Sequence, residues 1–192
     1  MSGATTRMPY EEARAVAHEL VRILEPACKR IKIAGSIRRA KLDIGDIDLV
    51  IEPLLIPTPD LFGGEDGVPI NAFNELCDEM VESGVWTKRL DKNGRQCWGS
   101  DLKRAVYRGL SVDLQTVSDH DTWGMWFLIR TGPASWNKRI VTQQRKGGLL
   151  PAGCEFRDGF QLWRWGERIP TPTERSVFDA LGLDFLNPWE RQ

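Results

Sequence analysis

Residues 35–51 read GSIRRAKLDIGDIDLVI, and this stretch decides the fold. Asp46 and Asp48 stand two apart at the start of an aliphatic run, so on a strand their side chains share one face, with Cα atoms roughly 6.5–7 Å apart. Two carboxylates on one face can bind a hard divalent cation through oxygen. Gly35 and Ser36 can offer N–H and hydroxyl groups to phosphate oxygens, and Arg39 adds a planar fork of donors. A metal site beside a triphosphate site is what nucleotidyl transfer needs.

Composition places the chain among ordinary globular proteins. It has 192 residues, 41% hydrophobic and 28% charged, enough for one domain or two small lobes. No apolar run reaches the roughly 18–20 residues of a membrane span, and no apolar signal core follows the N-terminus. The four cysteines lack metal-ligand spacing, so we expect reduced thiols in a cytosol-like compartment, and no membrane partner.

Charge is distributed unevenly along the chain. A net charge of −1 and a pI near 6.2 argue against strong non-specific binding to DNA. Residues 128–168, however, hold eight basic and three acidic side chains. This local excess is compatible with a nucleic-acid-binding face.

Hydrophobic periodicity predicts an α+β fold. We expect helices at 9–29, 71–83, 122–130, 134–146 and 173–181, and strands at 31–34, 47–52 and 110–114, with further short strands between 86 and 117 and a hairpin at 155–165. The last helix would begin at a capping box headed by Thr171, with Pro172 in its first position. Residues 53–69, with four prolines and three glycines, indicate a loop. We predict a lobe boundary between residues 119 and 120.

A third carboxylate strengthens the metal-site interpretation. An isolated Asp-x-Asp is weak evidence, because acidic pairs are common on surfaces. Asp113, however, stands inside the apolar strand Leu110-Ser111-Val112-Asp113-Leu114, where it would be costly without a cation or another partner. Three converging carboxylates repel one another unless metal lies between them. Two Mg²⁺ ions bridging them to a triphosphate would satisfy this arrangement.

These motifs together resemble the nucleotidyltransferase palm of family X DNA polymerases, the polymerase beta relatives. The resemblance rests on Gly35-Ser36-x-Arg38-Arg39-x5-Gly45-Asp46-Ile47-Asp48 with Asp113 downstream. Arg7-Met8-Pro9, Thr131-Gly132-x4-Asn137-Lys138 and the segment 169–191 resemble other parts of the family, so the likeness covers about residues 7–191. It implies a palm at 1–119, a mixed sheet with flanking helices, and a small α+β nucleotide- and DNA-binding lobe at 120–192.

The resemblance also implies roles for particular residues. The catalytic metal ligands would be Asp46, Asp48 and Asp113, holding two Mg²⁺ ions for which Mn²⁺ could substitute. Nucleotide-binding residues would be Gly35, Ser36, Arg39, Gly45, Gly132 and Asn137, with assistance from Arg7. DNA would contact Lys138, Arg139 and Arg145. The implied activity is DNA-directed addition of a dNMP to a primer 3′-hydroxyl on gapped or primer–template DNA, by a monomer, in DNA repair or phage DNA metabolism.

Several positions depart from the family pattern. Ile129 and Arg130 replace the aromatic pair that usually precedes Thr-Gly, and Val141 replaces an arginine expected near the templating base. Ser111 and Gln115 flank Asp113 where basic residues are common. No lyase or helix-hairpin-helix module precedes the palm, so we expect a small form like the minimal viral and phage members, acting in the cytoplasm of a bacterium or a phage-infected host.

Alternatives remain open at this point. The same core could transfer a nucleoside monophosphate without a template, to a nucleic-acid end, a small molecule or a protein. A non-catalytic binding module is a third reading, which three mutually repelling acids disfavour. Trp136 and Trp163, beside basic residues, could stack on bases or could be packing residues, and we favour packing slightly.

Overall fold

The computed structural model describes residues 7–59, 67–91 and 93–191. In chain order, the described strands are β1 (Met8–Pro9), β2 (Cys28–Ile33), β3 (Asp43–Ile44), β4 (Asp46–Pro53), β5 (Leu55–Ile56), β6 (Ile70–Asn71), β7 (Thr87–Lys88), β8 (Leu102–Tyr107), β9 (Leu110–Thr116), β10 (Cys154–Arg157), β11 (Gln161–Arg164) and β12 (Glu167–Ile169). The described α-helices are α1 (Tyr10–Leu24), α2 (Gly35–Arg38), α3 (Ala72–Glu82), α4 (Trp123–Thr131), α5 (Ala134–Val141) and α6 (Glu174–Leu181). Short 3₁₀ turns occupy Glu25–Ala27, His120–Thr122, Gln144–Lys146 and Pro188–Glu190. The mixed helix and strand content agrees with the predicted α+β class.

A five-stranded mixed sheet forms the centre of the N-terminal half. Its strand order is β2-β4-β9-β8-β7, in which β4 and β9 run parallel and the other neighbours antiparallel. Alternate residues of β4, namely Ile47, Leu49 and Ile51, are fully buried against the core that includes residues of α1 and α3. Because side chains alternate across a strand, the residues between them face the opposite side. That side carries the carboxylates.

Three apolar clusters divide the molecule. The first joins α1, α3 and one face of the sheet, and the second joins α4, α5, α6 and the β10-β11-β12 sheet. The third, smaller cluster of Ala34, Val50, Val117 and Trp123 connects the two halves. The boundary between residues 119 and 120 stays a prediction, which limited proteolysis would test.

Among the described residues, none of the helices combines the length and apolar character that crossing a bilayer requires.

Two predicted helices are too long. The first ends at Leu24 because Pro26 lacks an N–H and clashes with the preceding turn, and β2 then begins at Cys28. Helix α5 ends at Val141 instead of 146, because the chain folds back on it. The N–H of Leu149 donates to the carbonyl of Arg139 at 2.8 Å.

Local chemistry also differs from prediction at four points. Thr173, not Thr171, caps α6, and its hydroxyl oxygen and the Ser176 N–H form one half of a reciprocal capping box. Thr171 is instead buried, and its hydroxyl donates to the carbonyl of Asp121. Pro9 precedes α1 instead of opening it, and Gly35–Arg38 form the short helix α2, where the sequence analysis placed no helix. The predicted hairpin at 155–165 acquires a third strand, β12. Much of the predicted 53–69 loop, residues 60–66, lies outside the described residues.

Candidate active site

Strand register brings the three aspartates onto one face of the sheet. Asp46 pairs with Ser111 and Asp48 with Asp113 across the parallel β4–β9 pair. Neighbouring strands lie about 4.7–4.9 Å apart, so the side chains of Asp48 and Asp113 project side by side. The apolar residues between them face the core.

The carboxylates disturb one another electrostatically. Burial raises the pKa of Asp48 to about 7, and the nearby charges of Asp46 and Asp113 act in the same direction. Burial and the charge of Asp113 also raise the pKa of Asp46, although Arg89, Arg39 and Arg7 oppose the shift. A cation bound here would relieve this repulsion and favour the ionised forms.

Two arginines that the sequence analysis missed hold Asp113. Arg89 Nη2 donates to Oδ1 at 2.6 Å, and Arg104 Nε donates to Oδ2 at 3.1 Å. Arg104 lies opposite Asp113 in the antiparallel β8–β9 pair, and Arg89 lies just after β7. The alternation of β8 could have placed Arg104 on this face, but only the strand register shows that it meets Asp113. The basic residues that contact Asp113 are therefore Arg104 on the neighbouring strand β8 and Arg89 just after β7. They are not at positions 111 and 115, which flank Asp113 in sequence.

Across residues 7–59, 67–91 and 93–191, no three Asp, Glu, His or Cys side chains are arranged to enclose a metal ion by themselves. Asp113 directs both oxygens to arginines, which leaves Asp46 and Asp48 as the carboxylates without such partners. The donors are hard oxygen ligands of the type that Mg²⁺ and Mn²⁺ prefer. The carboxylates of Asp46 and Asp48 therefore suit a cation whose remaining ligands are oxygens of a bound triphosphate.

Helix α2 places the predicted phosphate-binding residues beside Asp48. Gly35 has φ +59°, and a Cβ there would lie 1.9 Å from Asp48 Oδ2, so only glycine fits. The hydroxyl of Ser36 and Nε of Arg39 are buried without a hydrogen-bond partner in the described structure. Such orphaned groups cost about 1–3 kcal/mol each. A polar ligand that reaches both atoms would recover this free energy.

Arg7 and Gly45 lie at the edge of the same region. A Cβ at Gly45 would lie 3.3 Å from Arg7 Nη1. The Arg7 side chain is engaged by Asp43, through the carboxylate and through a 3.1 Å bond from Nη2 to the carbonyl oxygen. Both predicted residues are therefore adjacent to one another, with Arg7 half exposed and already paired.

The Thr131-Gly132 turn reaches the site from the C-terminal half. Helix α4 ends at Thr131, whose carbonyl accepts a hydrogen bond from Arg39 Nη1. Gly132 has φ +73°, and a Cβ there would lie 2.9 Å from Arg39 Nη1. Asn137 donates to the carbonyl of Ile129 at 2.6 Å, while its own Oδ1 is buried and unpartnered. Three predicted nucleotide-binding side chains thus each carry an unsatisfied buried atom.

The positions that depart from the family pattern have other partners. Ile129 packs against the C-terminal core. Arg130 Nε donates to Gln115 Oε1 at 3.0 Å, so this arginine is tied to β9. Val141 is 38% exposed and offers no polar group to a base.

The predicted DNA-binding residues lie on the C-terminal half. Lys138 and Arg139 are exposed on α5, and Arg145 is exposed in the following 3₁₀ turn. The guanidinium of Arg139 lies 5.4 Å from the ring centroid of Trp136. Trp136 is 5% exposed and stacks on Phe178 at 6.3 Å, which favours its packing role over base stacking.

A buried triad connects the two halves directly behind this site, and the sequence analysis did not foresee it. Arg38 forms two 2.7 Å bonds to the Glu174 carboxylate and donates to Thr131 Oγ1 at 2.7 Å. Arg191 donates to the same carboxylate at 2.8 Å. Burial alone would raise the pKa of Glu174, but the hydrogen bonds and charges of the two arginines outweigh it and hold the pKa below its ordinary value. The consecutive arginines therefore diverge, Arg39 toward the carboxylates and Arg38 toward the junction.

Comparisons with known proteins agree with this geometry. Residues 127–192 match the family described as DNA polymerase beta thumb. The chain is 30% identical over 201 residues to a protein named DNA polymerase lambda from Rattus norvegicus, covering 96% of this chain and 33% of that protein. It is 26% identical over 206 residues to DNA polymerase lambda from Arabidopsis thaliana, covering 97% of this chain and 36% of the relative.

This chain belongs to the family X DNA polymerases. It spans about a third of the length of the curated relatives it matches. The predicted resemblance is thereby confirmed, and the C-terminal part of the chain contains a domain of the polymerase beta thumb family.

Proposed function

We propose that this chain is a DNA-directed DNA polymerase that adds a dNMP to a primer 3′-hydroxyl and fills short gaps. The observation that carries the proposal is the convergence of Asp46, Asp48 and Asp113 on one sheet face beside the unpartnered atoms of Ser36 and Arg39. Nucleotidyl transfer requires neutralisation of the phosphate charge and positioning of the substrates. The acid cluster and the phosphate-binding donors together can provide both. Family membership supports the same activity.

Each group has a role in binding and orienting the substrates. Ser36 and Arg39, with the N–H groups at the start of α2, would hold the triphosphate, with Gly45 and Arg7 at its edge. Asp46, Asp48 and Asp113 would hold two Mg²⁺ ions, which neutralise the phosphates and lower the pKa of the attacking hydroxyl. Asp113 would lie nearest the primer terminus. Arg89 and Arg104 orient the Asp113 carboxylate through the hydrogen bonds that they donate to its two oxygens.

The C-terminal half would supply contacts to the nucleotide and to DNA. Gly132 and Asn137 would border the sugar and base, since Gly132 touches Arg39 and Asn137 Oδ1 lacks a partner. Lys138, Arg139 and Arg145 would contact DNA phosphates. We propose weak discrimination against ribose, because the aromatic pair is replaced and Arg130 is bound to Gln115.

The test compares single-nucleotide addition to a one-nucleotide gap, an open primer–template and a lone single strand, with Mg²⁺ present. Templated addition strongest on the gap is expected, and the Asp46→Asn/Asp48→Asn variant should lose it. Asp179→Asn/Asp184→Asn removes the same charge at exposed sites and should retain activity. Unchanged activity in the pure Asp46/Asp48 variant would contradict the mechanism.

Template-independent transfer is a second candidate, and Val141 is the observation that favours it. The side chain at the position expected to sit near the templating base is apolar and exposed. Addition restricted to the untemplated strand in the same assay would select this candidate. Transfer to none of the three DNAs would direct the search to a small-molecule or protein acceptor.

We propose a monomer that works in the cytoplasm of a bacterium or a phage-infected cell, in repair or phage DNA metabolism. The basic residues of α5 and of the following turn support the DNA-binding part of this proposal. Light scattering on the free protein and on its complex with gapped DNA would measure the stoichiometry. A stable dimer in either sample would refute the monomer.

A further inference from the structure

A second basic surface lies between the two halves, on the side of α2 to which Arg38 points. It is a cleft of about 470 Å³, and four of its lining side chains are cationic: Arg30, Lys32, Arg38 and Arg175. Arg30 and Lys32 come from β2, and Arg175 comes from α6. Glu174 is the carboxylate in the lining, and Arg38 and Arg191 already occupy it. The cleft therefore presents an excess of positive charge contributed by both halves.

Aromatic rings hold the guanidinium groups in this cleft. Arg30 lies 4.5 Å from the ring centroid of Trp123, Arg38 lies 3.9 Å from Phe127, and Arg175 lies 4.7 Å from Phe185. Stacking restricts the planar groups, so that less conformational freedom is lost when they bind an anion. Guanidinium groups set beside aromatic side chains are typical of surfaces that bind phosphates and unpaired bases.

Two of the four cations lack a carboxylate partner within the described part of the chain. Arg30 has Glu52 at 3.5 Å and Arg38 has Glu174, but neither Lys32 nor Arg175 forms an ion pair with a described residue. Lys32 is exposed on the β2 side and Arg175 on the α6 side. Positive charge without an internal partner, contributed from opposite walls, is suited to an extended polyanion.

We propose that this cleft binds the sugar–phosphate backbone of a single strand of nucleic acid, at a site separate from the catalytic carboxylates. At about 470 Å³, the cleft has room for a short stretch of one strand and not for a whole duplex. Lys32 and Arg175 would contact phosphates from the two walls, and the partly exposed Phe127 and Phe185 would border the bases. This inference rests on the proposed function for its substrate, since a DNA polymerase meets unpaired strand beside its gap.

The first experiment measures fluorescence anisotropy of a labelled oligo(dT) with the full chain, without metal or nucleotide, over a range of salt concentrations. Lys32→Glu/Arg175→Glu should weaken binding at least tenfold. Loss of two phosphate contacts should also lower the salt-dependence slope by about 1.4, at about 0.7 per phosphate for a single strand. Lys32→Gln/Arg175→Gln should show a smaller loss of the same kind, and it guards against a folding defect in the charge-reversed protein.

A matched control carries the same change in net charge on another face. Arg14→Glu/Arg22→Glu alters two exposed residues of α1, which packs on the opposite face of the sheet. The affinity of this control for oligo(dT) should lie within about threefold of that of the unmodified chain. The remaining difference would come from long-range electrostatics alone, because the altered residues do not contact the strand. Equal binding by the control and the Lys32/Arg175 variants would overturn the proposal.

Pyrophosphate competition separates a nucleic-acid strand from a small phosphate ligand. Displacement of oligo(dT) from the unmodified chain by micromolar pyrophosphate would overturn the single-strand assignment in favour of a small-anion site. Incorporation on a gap without unpaired flanks should be unchanged in the Lys32/Arg175 variants. If the unmodified chain incorporates no nucleotide yet loses oligo(dT) through these substitutions, the proposed polymerase fails while this site stands.

Discussion

The carboxylate face and the Arg38–Glu174–Arg191 triad lie on two sides of one short helix, and they handle charge in opposite ways. On the carboxylate face, burial and then the like charges of Asp46 and Asp113 raise the pKa of Asp48, while Ser36 and Arg39 retain buried atoms without partners. In the triad, two arginines surround one carboxylate and lower its pKa. The first arrangement is incomplete until something binds, whereas the second is complete in the chain alone. This difference separates residues that act on ligands from residues that hold the halves together.

Removing the centre of the triad should produce the largest effect on stability. Glu174→Ala leaves the fully buried Arg191 without a carboxylate and removes the partner of the partly exposed Arg38, and breaking a buried pair such as Arg191–Glu174 costs about 3–5 kcal/mol. Urea denaturation of the purified variant measures the loss. Glu167→Ala, an exposed residue on β12, serves as the control and should change stability by less than about 0.5 kcal/mol. A loss equal to that of the control would mean that the triad contributes little.

The carboxylate face should show the reverse response to charge removal. Asp48 has a folded-state pKa raised to about 7, so its contribution to stability is present below its unfolded pKa near 4 and is lost as pH rises through 7. We expect metal-free protein to lose about 2–3 kcal/mol between pH 4.5 and pH 7.5 from this source. Asp48→Asn should flatten that dependence and raise stability at pH 7.5. Denaturation at several pH values, with EDTA, gives the comparison, and a variant that parallels the unmodified protein would contradict it.

Substituting Arg39 tests whether its free nitrogen serves a triphosphate. Arg39→Ala should weaken binding of a non-hydrolysable dNTP by about 10- to 30-fold, because it removes charge-assisted hydrogen bonds worth about 1.5–2 kcal/mol. Binding of gapped DNA should change less than threefold. Equilibrium fluorescence titrations with each ligand separate the two affinities. Equal losses in both would show that Arg39 acts through the Thr131 turn and not on the nucleotide.

Arg104 provides the smallest and most specific test. Arg104→Gln removes one of two arginines from Asp113 while Arg89 remains, so we expect a decrease in kcat of up to about tenfold with little change in nucleotide affinity. Pre-steady-state incorporation measures the rate and the affinity separately. Arg108→Gln, on the exposed turn after β8, should leave both unchanged. A decrease in affinity without a decrease in rate would assign Arg104 to substrate binding.

Much of the carboxylate face could be predicted from local patterns. The i and i+2 spacing of Asp46 and Asp48 predicts a shared face, and the apolar neighbours of Asp113 predict a buried strand; both features are present. Helix ends were less predictable. Pro26 ended α1 early through a local clash that hydrophobic periodicity does not register, and the fold-back of residues 142–150 shortened α5 because its hydrogen bonds compete with continuation of the helix.

The α+β class and the shared face of Asp46 and Asp48 could be predicted from the sequence alone. These features depend on hydrophobic periodicity and on strand alternation, which are local properties. The choice of arginine that binds each carboxylate could be seen only in the folded structure. Arg89 and Arg104 reach Asp113 through strand pairing, while Arg38 and Arg39 diverge because the C-terminal half places Glu174 beside one and the Thr131 carbonyl beside the other. Arg38 and Arg39 carry the same charge at adjacent positions, so the sequence alone does not distinguish their roles. Their different contacts arise because residues distant in sequence pack beside each of them.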